Sequence, residues 1–234
     1  MMTKGSPVFG KALFKKRRAA ALGSAGLGAC AVLAASSPVQ MGAAAVVGDQ
    51  RITVSALDTQ VSNLQTAAKP YSGLPLTTAQ MPRAVLSWLI KFAVMDEVAA
   101  KNGITVSKSQ SEAALASLKP VAQQKGVSTA ELLVAAGIPP QLFPEIGQWE
   151  AQWTAYALKM NKGKPPTTTA EQNAFTAAIN KSQCQAAKSL AIRISPQFGR
   201  LDYGQYAVVA TPNTLSQAPG KPTPAPTTGL APAC

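Results

Sequence analysis

Through the middle of this chain, apolar residues return every three or four positions, and that spacing predicts helices. Val85, Trp88, Leu89, Phe92, Met95 and Val98 mark the clearest one. Pro82 suits its first turn, where the missing N–H costs nothing, and Asn102-Gly103 supplies its stop. A second long helix is predicted from Leu142 to Met160, with Ile146, Trp149, Trp153, Tyr156 and Met160 forming one continuous stripe. Shorter helices surround these two. Ser55 is the expected cap of one that carries Leu57, Val61 and Leu64 and stops before Pro70-Tyr71-Ser72-Gly73. Ser107 caps another that carries Ala114, Leu115, Leu118 and Val121. Ser128-Thr129-Ala130-Glu131 reads as a capping box opening a helix that ends at Gly137, ahead of the break at Pro139-Pro140. Thr168 or Thr169 opens a last helix through Phe175 and Ile179 to about Cys184.

Strand patterns lie at the two ends of this helical region. Val46-Val47 and Arg51-Ile52 flank the turn residues Gly48-Asp49-Gln50. Leu190, Ile192 and Ile194 alternate with polar partners between Ser189 and Ser195, which predicts a strand with one buried face. Tyr206 to Val209 is expected to continue that sheet.

The N-terminus reads as targeting sequence rather than fold. Lys4, Lys11, Lys15, Lys16, Arg17 and Arg18 precede a mildly apolar Ala/Gly-rich run from Ala19 to Ala35. A bilayer span needs about 20 strongly apolar residues, so a signal peptide over residues 1–35 is the better reading. Two processing routes fit it. Leu27-Gly28-Ala29-Cys30 resembles a lipobox, which would lipidate Cys30 and anchor the protein to the membrane. Leu33-Ala34-Ala35-Ser36 has the lipobox shape with Ser in place of Cys, and cleavage near Ala34, Ala35 or Ala45 would remove Cys30. Residues 36–45 read as a linker, 46–210 as the folded domain, and 211–234 as a tail too rich in Pro, Thr and Ala to order itself.

Composition excludes several chemistries. The chain has no His, which removes Ser-His-Asp triads, Cys-His pairs and histidine metal sites. No Gly-x-Ser-x-Gly elbow and no phosphate loop appear. Asp96 and Glu97 are adjacent and point in different directions on a helix, so they read as a solvated patch rather than a catalytic pair. The expectation is therefore a binding protein with no enzymatic activity, no metal and no cofactor. Net charge is +12, falling to +6 once the six basic residues before Cys30 are set aside. The absence of a basic run with interleaved aromatics argues against nucleic acid as a partner.

The order of these elements resembles the N-terminal domain of SurA-type periplasmic chaperones. The segments that carry the likeness are the opening hairpin, the Met81–Glu97 helix, the Gly103-Ile104-Thr105-Val106-Ser107 junction and the capped helix after Gly126. Ile194-Ser195-Pro196-Gln197-Phe198-Gly199-Arg200 is similar to the family's Asn-Pro-Arg-aromatic-Gly segment, with Ser195 and Gln197 departing from it. The resemblance implies a mostly α fold with a small two- or three-stranded sheet, in which a late strand returns to pair with the first. It also implies an exported chaperone that binds unfolded polypeptides. The parvulin isomerase domains of many such chaperones, with their His residues, have no counterpart in this chain.

Such a chaperone would use an apolar groove, for which Trp88, Phe92, Trp149, Trp153 and Tyr156 are the candidates. A stripe at helical spacing is ordinarily core. Two Trp on one stripe exceed what a small core requires, which singles out Trp153 and Tyr156. Cys184 and Cys234 are expected to form a disulfide tying the tail to the last helix, the other reading being a free Cys234. The second functional reading is a non-chaperone envelope lipoprotein or adaptor docking one specific partner.

Overall fold

In a computed structural model, residues 42–211 are described. They form a mostly helical domain with two small antiparallel sheets. The chain opens with a hairpin of β1 (Ala43–Val47) and β2 (Gln50–Thr53), with Val47 opposite Gln50. Gly48 takes a φ of 54°, as a two-residue hairpin loop with glycine first requires. β1 therefore takes in Ala43–Ala45, the end of the segment expected to be linker. All three alanines are buried, because helices close over this central strand.

Helix α1 (Val54–Ala68) starts directly from β2. Its cap is Thr53, not Ser55. Thr53 is still extended, and its Oγ1 accepts the Ala56 N–H at 3.1 Å. Helix α2 (Met81–Lys101) is the central element, packing on α1, α6, α7, β1 and β5. That position explains apolar residues on nearly every side of it. It ends as expected: Gly103 has a φ of 60° and the Ile104 N–H returns to the Ala99 carbonyl.

The helix expected after Ser107 is two helices, α3 (Lys108–Ala116) and α4 (Lys119–Gln124). Pro120 has no N–H for the carbonyl of Ala116, so the helix breaks there, and Val121 is left 44% exposed. Ser107 does form a full capping box with Gln110. Ser128 forms half of one: its Oγ accepts from the Glu131 N–H at 3.0 Å at the head of α5 (Thr129–Ala135). A 3-10 turn, Pro140–Leu142, leads into α6 (Phe143–Met160).

α6 packs closely on α3. A Cβ built on Gly147 would stand 2.4 Å from the Ser111 carbonyl oxygen, so only glycine allows this approach. Gly147→Ala should lower stability by about 1–3 kcal/mol, as overpacking does. A thermal or urea melt with no loss of midpoint would contradict this helix contact.

Helix α7 (Thr169–Ser189) opens with a full Thr168/Glu171 capping box. It runs five residues past Cys184, and the Leu190 N–H still bonds to the Ala186 carbonyl. The strand expected over Ser189–Ser195 shrinks accordingly to β3 (Arg193–Ile194). It pairs antiparallel with β1, Ala45 opposite Ile194, giving the sheet order β2-β1-β3. The late strand thus returns to the first one, as the resemblance implied. The residues from Tyr206 do not extend that sheet. β5 (Ala207–Val209) pairs instead with β4 (Arg200–Asp202) in a separate ribbon. Buried Ser87 pins this ribbon to α2: its Oγ donates to the Arg83 carbonyl at 2.6 Å and accepts the Val208 N–H at 2.8 Å.

Candidate functional site

The five aromatic residues singled out in the sequence come together, but chiefly as core. Phe92, Trp88, Trp149, Trp153 and Tyr156 form a continuous ladder with successive centroid distances of 6.0, 5.7, 6.4 and 5.6 Å. The last three contacts are edge-to-face, the arrangement that ring quadrupoles favour. Trp88, Phe92 and Trp153 are buried, and Trp149 is half-buried. Trp88 Nε1 donates to the Ala136 carbonyl at 2.9 Å, which ties α2 to the end of α5. The expectation that Trp153 faces an open groove is corrected: it is 3% exposed, inside the main packed cluster.

Tyr156, the last rung, does reach an opening. Beyond it the C-terminal half of α6 and the N-terminal half of α7 diverge around a groove of about 740 Å³. Tyr156, Ala157 and Met160 line it from α6. Phe175, Ala178 and Ile179 face them from α7. Met160 is 65% exposed, and neither it nor Phe175 belongs to a packed cluster of the core. From Thr169 to Ala178 every residue of α7 except Phe175 is exposed. No residue of this half of the helix belongs to a packed core cluster.

The connector between the two helices closes one end of the groove. Asn161 Nδ2 donates to the Lys164 carbonyl at 2.6 Å, and the Gly163 N–H reaches the Leu158 carbonyl at 2.7 Å. Lys162 and Gly163 both take positive φ, 54° and 79°. Pro165 and Pro166 complete the wall. Glu171 Oε2 accepts from the Thr167 N–H, the Thr167 hydroxyl and the Thr168 N–H at 2.7, 2.8 and 3.0 Å. These bonds hold the carboxyl below its usual range and direct its charge at the head of α7.

Other polar groups serve the scaffold. Asp96 accepts from Gln152 Nε2 at 3.3 Å, while Glu97 accepts from Gln50 Nε2 at 3.5 Å. The two neighbouring carboxylates therefore turn toward different elements, α6 and β2. Burial pushes Asp96 and Glu150 up from the usual carboxylate range. Cys184 is buried and disulfide-bonded. The chain's other cysteines, Cys30 and Cys234, lie outside the described residues, as do the signal segment and the tail after Thr211.

The chain matches the family model for the SurA-like N-terminal domain over residues 21–143, just over half its length, and belongs to that family. The family is chaperone-like and extracytoplasmic. No curated protein matches the chain. Among the described residues no helix is long and apolar enough to cross a membrane. The family match ends where α6 begins, so the groove is built by the part of the chain beyond it. Sequence reasoning missed Met160 as an open residue, and missed Phe175, Ala178 and Ile179 as a wall. The spacing of these three puts them on one side of α7, and that signal was present. What it lacked was any indication that Phe175 joins no packed core cluster.

Proposed function

We propose that this protein holds extended segments of unfolded polypeptide outside the cytoplasm, in the α6–α7 groove, and changes no covalent bond. The observation that carries this reading is the apolar pair of half-buried Phe175 and exposed Met160, which line one groove from two helices and join no packed core cluster. Apolar area left exposed in a concave site is a binding surface, because a ligand removes it from water with little selectivity for sequence. The groove's volume lies in the range of ligand pockets and accepts a few side chains, not a folded domain. Membership of a chaperone-like family supports the same reading. A chain without His lacks the usual general base, which supports binding over catalysis.

The test is suppression of aggregation of a reduced client, followed by light scattering, with the full exported chain and a Met160→Gln/Phe175→Gln double variant. Both positions are on helices, and Gln keeps helix propensity. The expected result is suppression at near-stoichiometric ratios, weakened several-fold by the double variant, with the unfolding free energy changed by less than about 1 kcal/mol. Equal suppression by both proteins would move the site elsewhere. No suppression even in excess would leave a dedicated adaptor for one envelope partner as the better account.

A further inference from the structure

The connector at the closed end of the groove carries two lysines. Lys162 and Lys164 stand on the hydrogen-bonded connector, both exposed, and Lys164 lines the groove itself. Lys159, one turn back on α6, reaches the Asn102 carbonyl with its ammonium at 2.5 Å. That contact brings the C-terminus of α2, with exposed Lys101, to the same end of the molecule. The ion pair between described residues lies elsewhere, at Lys108–Glu112, and among the described residues no carboxylate is within ion-pair range of Lys101, Lys162 or Lys164. Glu171 is the nearby acid that lines the groove, and one of its oxygens is committed to the amides that open α7. A run of apolar wall thus ends at Lys162 and Lys164, which have no ion-pair partner among the described residues, with Glu171 turned to the head of α7.

We propose that the groove selects extended apolar segments that carry acidic residues at the end lying over the α6–α7 connector. This deepens the reading above and rests on it: the apolar wall supplies affinity, and the lysines supply orientation and choice. An apolar segment with Asp or Glu at one end would bury its side chains against Phe175, Ile179 and Met160 and set its charge beside Lys162 and Lys164. A segment flanked by Lys or Arg would place like charges together, which costs as much as the favourable pairs contribute. The chain's own tail is a poor occupant on these grounds, since residues 211–234 contain Lys221 and no acid. A lipid surface would need a broad flat face, whereas these cations adjoin a concave apolar wall.

Exposed ion pairs contribute about 0.2–1 kcal/mol each, so two or three of them predict about a three- to tenfold preference. The probe is a set of fluorescent peptides sharing one seven-residue apolar core, flanked at one end by two Asp, two Ser or two Lys, titrated against the full exported chain by anisotropy. The Asp-flanked peptide should bind about three- to tenfold tighter than the Lys-flanked one. The difference should shrink as salt rises, because the charges are exposed. Lys162→Glu/Lys164→Glu should abolish or invert the order while leaving the unfolding midpoint unchanged. Equal binding of the three peptides, or an order that survives charge reversal, would overturn the inference. The Met160→Gln/Phe175→Gln variant separates the two claims. If it weakens all three peptides alike while charge makes no difference, the groove stands and its selectivity falls. If it weakens none, the groove reading itself falls. Vesicles with and without phosphatidylglycerol complete the set. Charge reversal that removes vesicle binding but leaves the peptide order intact would assign the lysines to a membrane surface and overturn the proposal.

Discussion

Trp153→Ala should destabilise the domain by about 3–5 kcal/mol, the range for truncating a fully buried aromatic side chain. Trp153 is 3% exposed and touches Trp149 and Tyr156 edge-on, so its removal opens a cavity where α6 meets the main core. A domain of this size has only about 5–15 kcal/mol to lose. The variant should therefore unfold at a much lower urea concentration, and any loss of client binding would report unfolding rather than a damaged site. Trp153→Phe is the informative partner. The indole N–H of Trp153 is buried without an acceptor among the described residues, as is that of Trp149. An unsatisfied buried donor costs about 1–3 kcal/mol, so a ring that keeps most of the volume and drops the N–H loses much less than Ala does. Urea melts of the two variants check this. A Trp153→Ala midpoint close to wild type would place Trp153 at a surface and restore it as a candidate binding residue.

The contrast between Trp153 and Phe175 shows what the sequence could and could not reveal. Helix positions were legible because capping chemistry and a 3.6-residue period are local: Ser107, Ser128, Thr168, Pro82 and Gly103 all act where their types suggested. Errors came where a local signal had a competitor one or two residues away. Thr53, already extended at the end of β2, capped α1 in place of Ser55. Pro120 divided a helix whose apolar spacing ran straight through it. Leu190 alternates with Ile192 and Ile194 like a strand residue, yet it terminates a helix because its N–H still finds the Ala186 carbonyl. The groove was the least legible feature. The Trp149–Tyr156 stripe and the Phe175–Ile179 face look alike in sequence, since both are apolar residues at helical spacing. Only packing separates them: α2 covers the first, while the second packs against the core only at Ile179 and leaves Phe175 outside any packed cluster.

Stability should rise by about 2 kcal/mol between pH 7 and pH 9.5 through a single side chain, Lys91. Its ammonium lies 4.4 Å from the centre of the Trp88 ring and 5.7 Å from that of Tyr206, on the buried side of α2. Burial lowers its pKa from 10.5 to about 8. The charged form is therefore the one that folding disfavours. Below pH 8 the full penalty is present in the folded state, about 3 kcal/mol at one pKa unit per 1.36 kcal/mol. As pH rises from 8 toward 10.5 the folded protein releases this proton while the unfolded chain keeps it, and the penalty fades. The neighbouring Tyr206 is shifted upward by burial, so it acts in the opposite sense only above about pH 10, where an unfolded Tyr ionises. Asp96 and Glu150, raised from the carboxylate range, favour folding toward acid and add no slope in this window. The cation–π contact with Trp88 offsets part of the cost, about 0.5–2 kcal/mol, and so does not reverse it. Lys91→Met, of similar length and uncharged, should accordingly be more stable than wild type at pH 7 by about 1–2 kcal/mol and lose that advantage by pH 9.5. Urea melts of both proteins at the two pH values decide it. A wild-type midpoint that is flat or falls over this range, or a Lys91→Met variant that is weaker at pH 7, would mean that the ammonium reaches water or a counter-charge and is not buried against Trp88 and Tyr206.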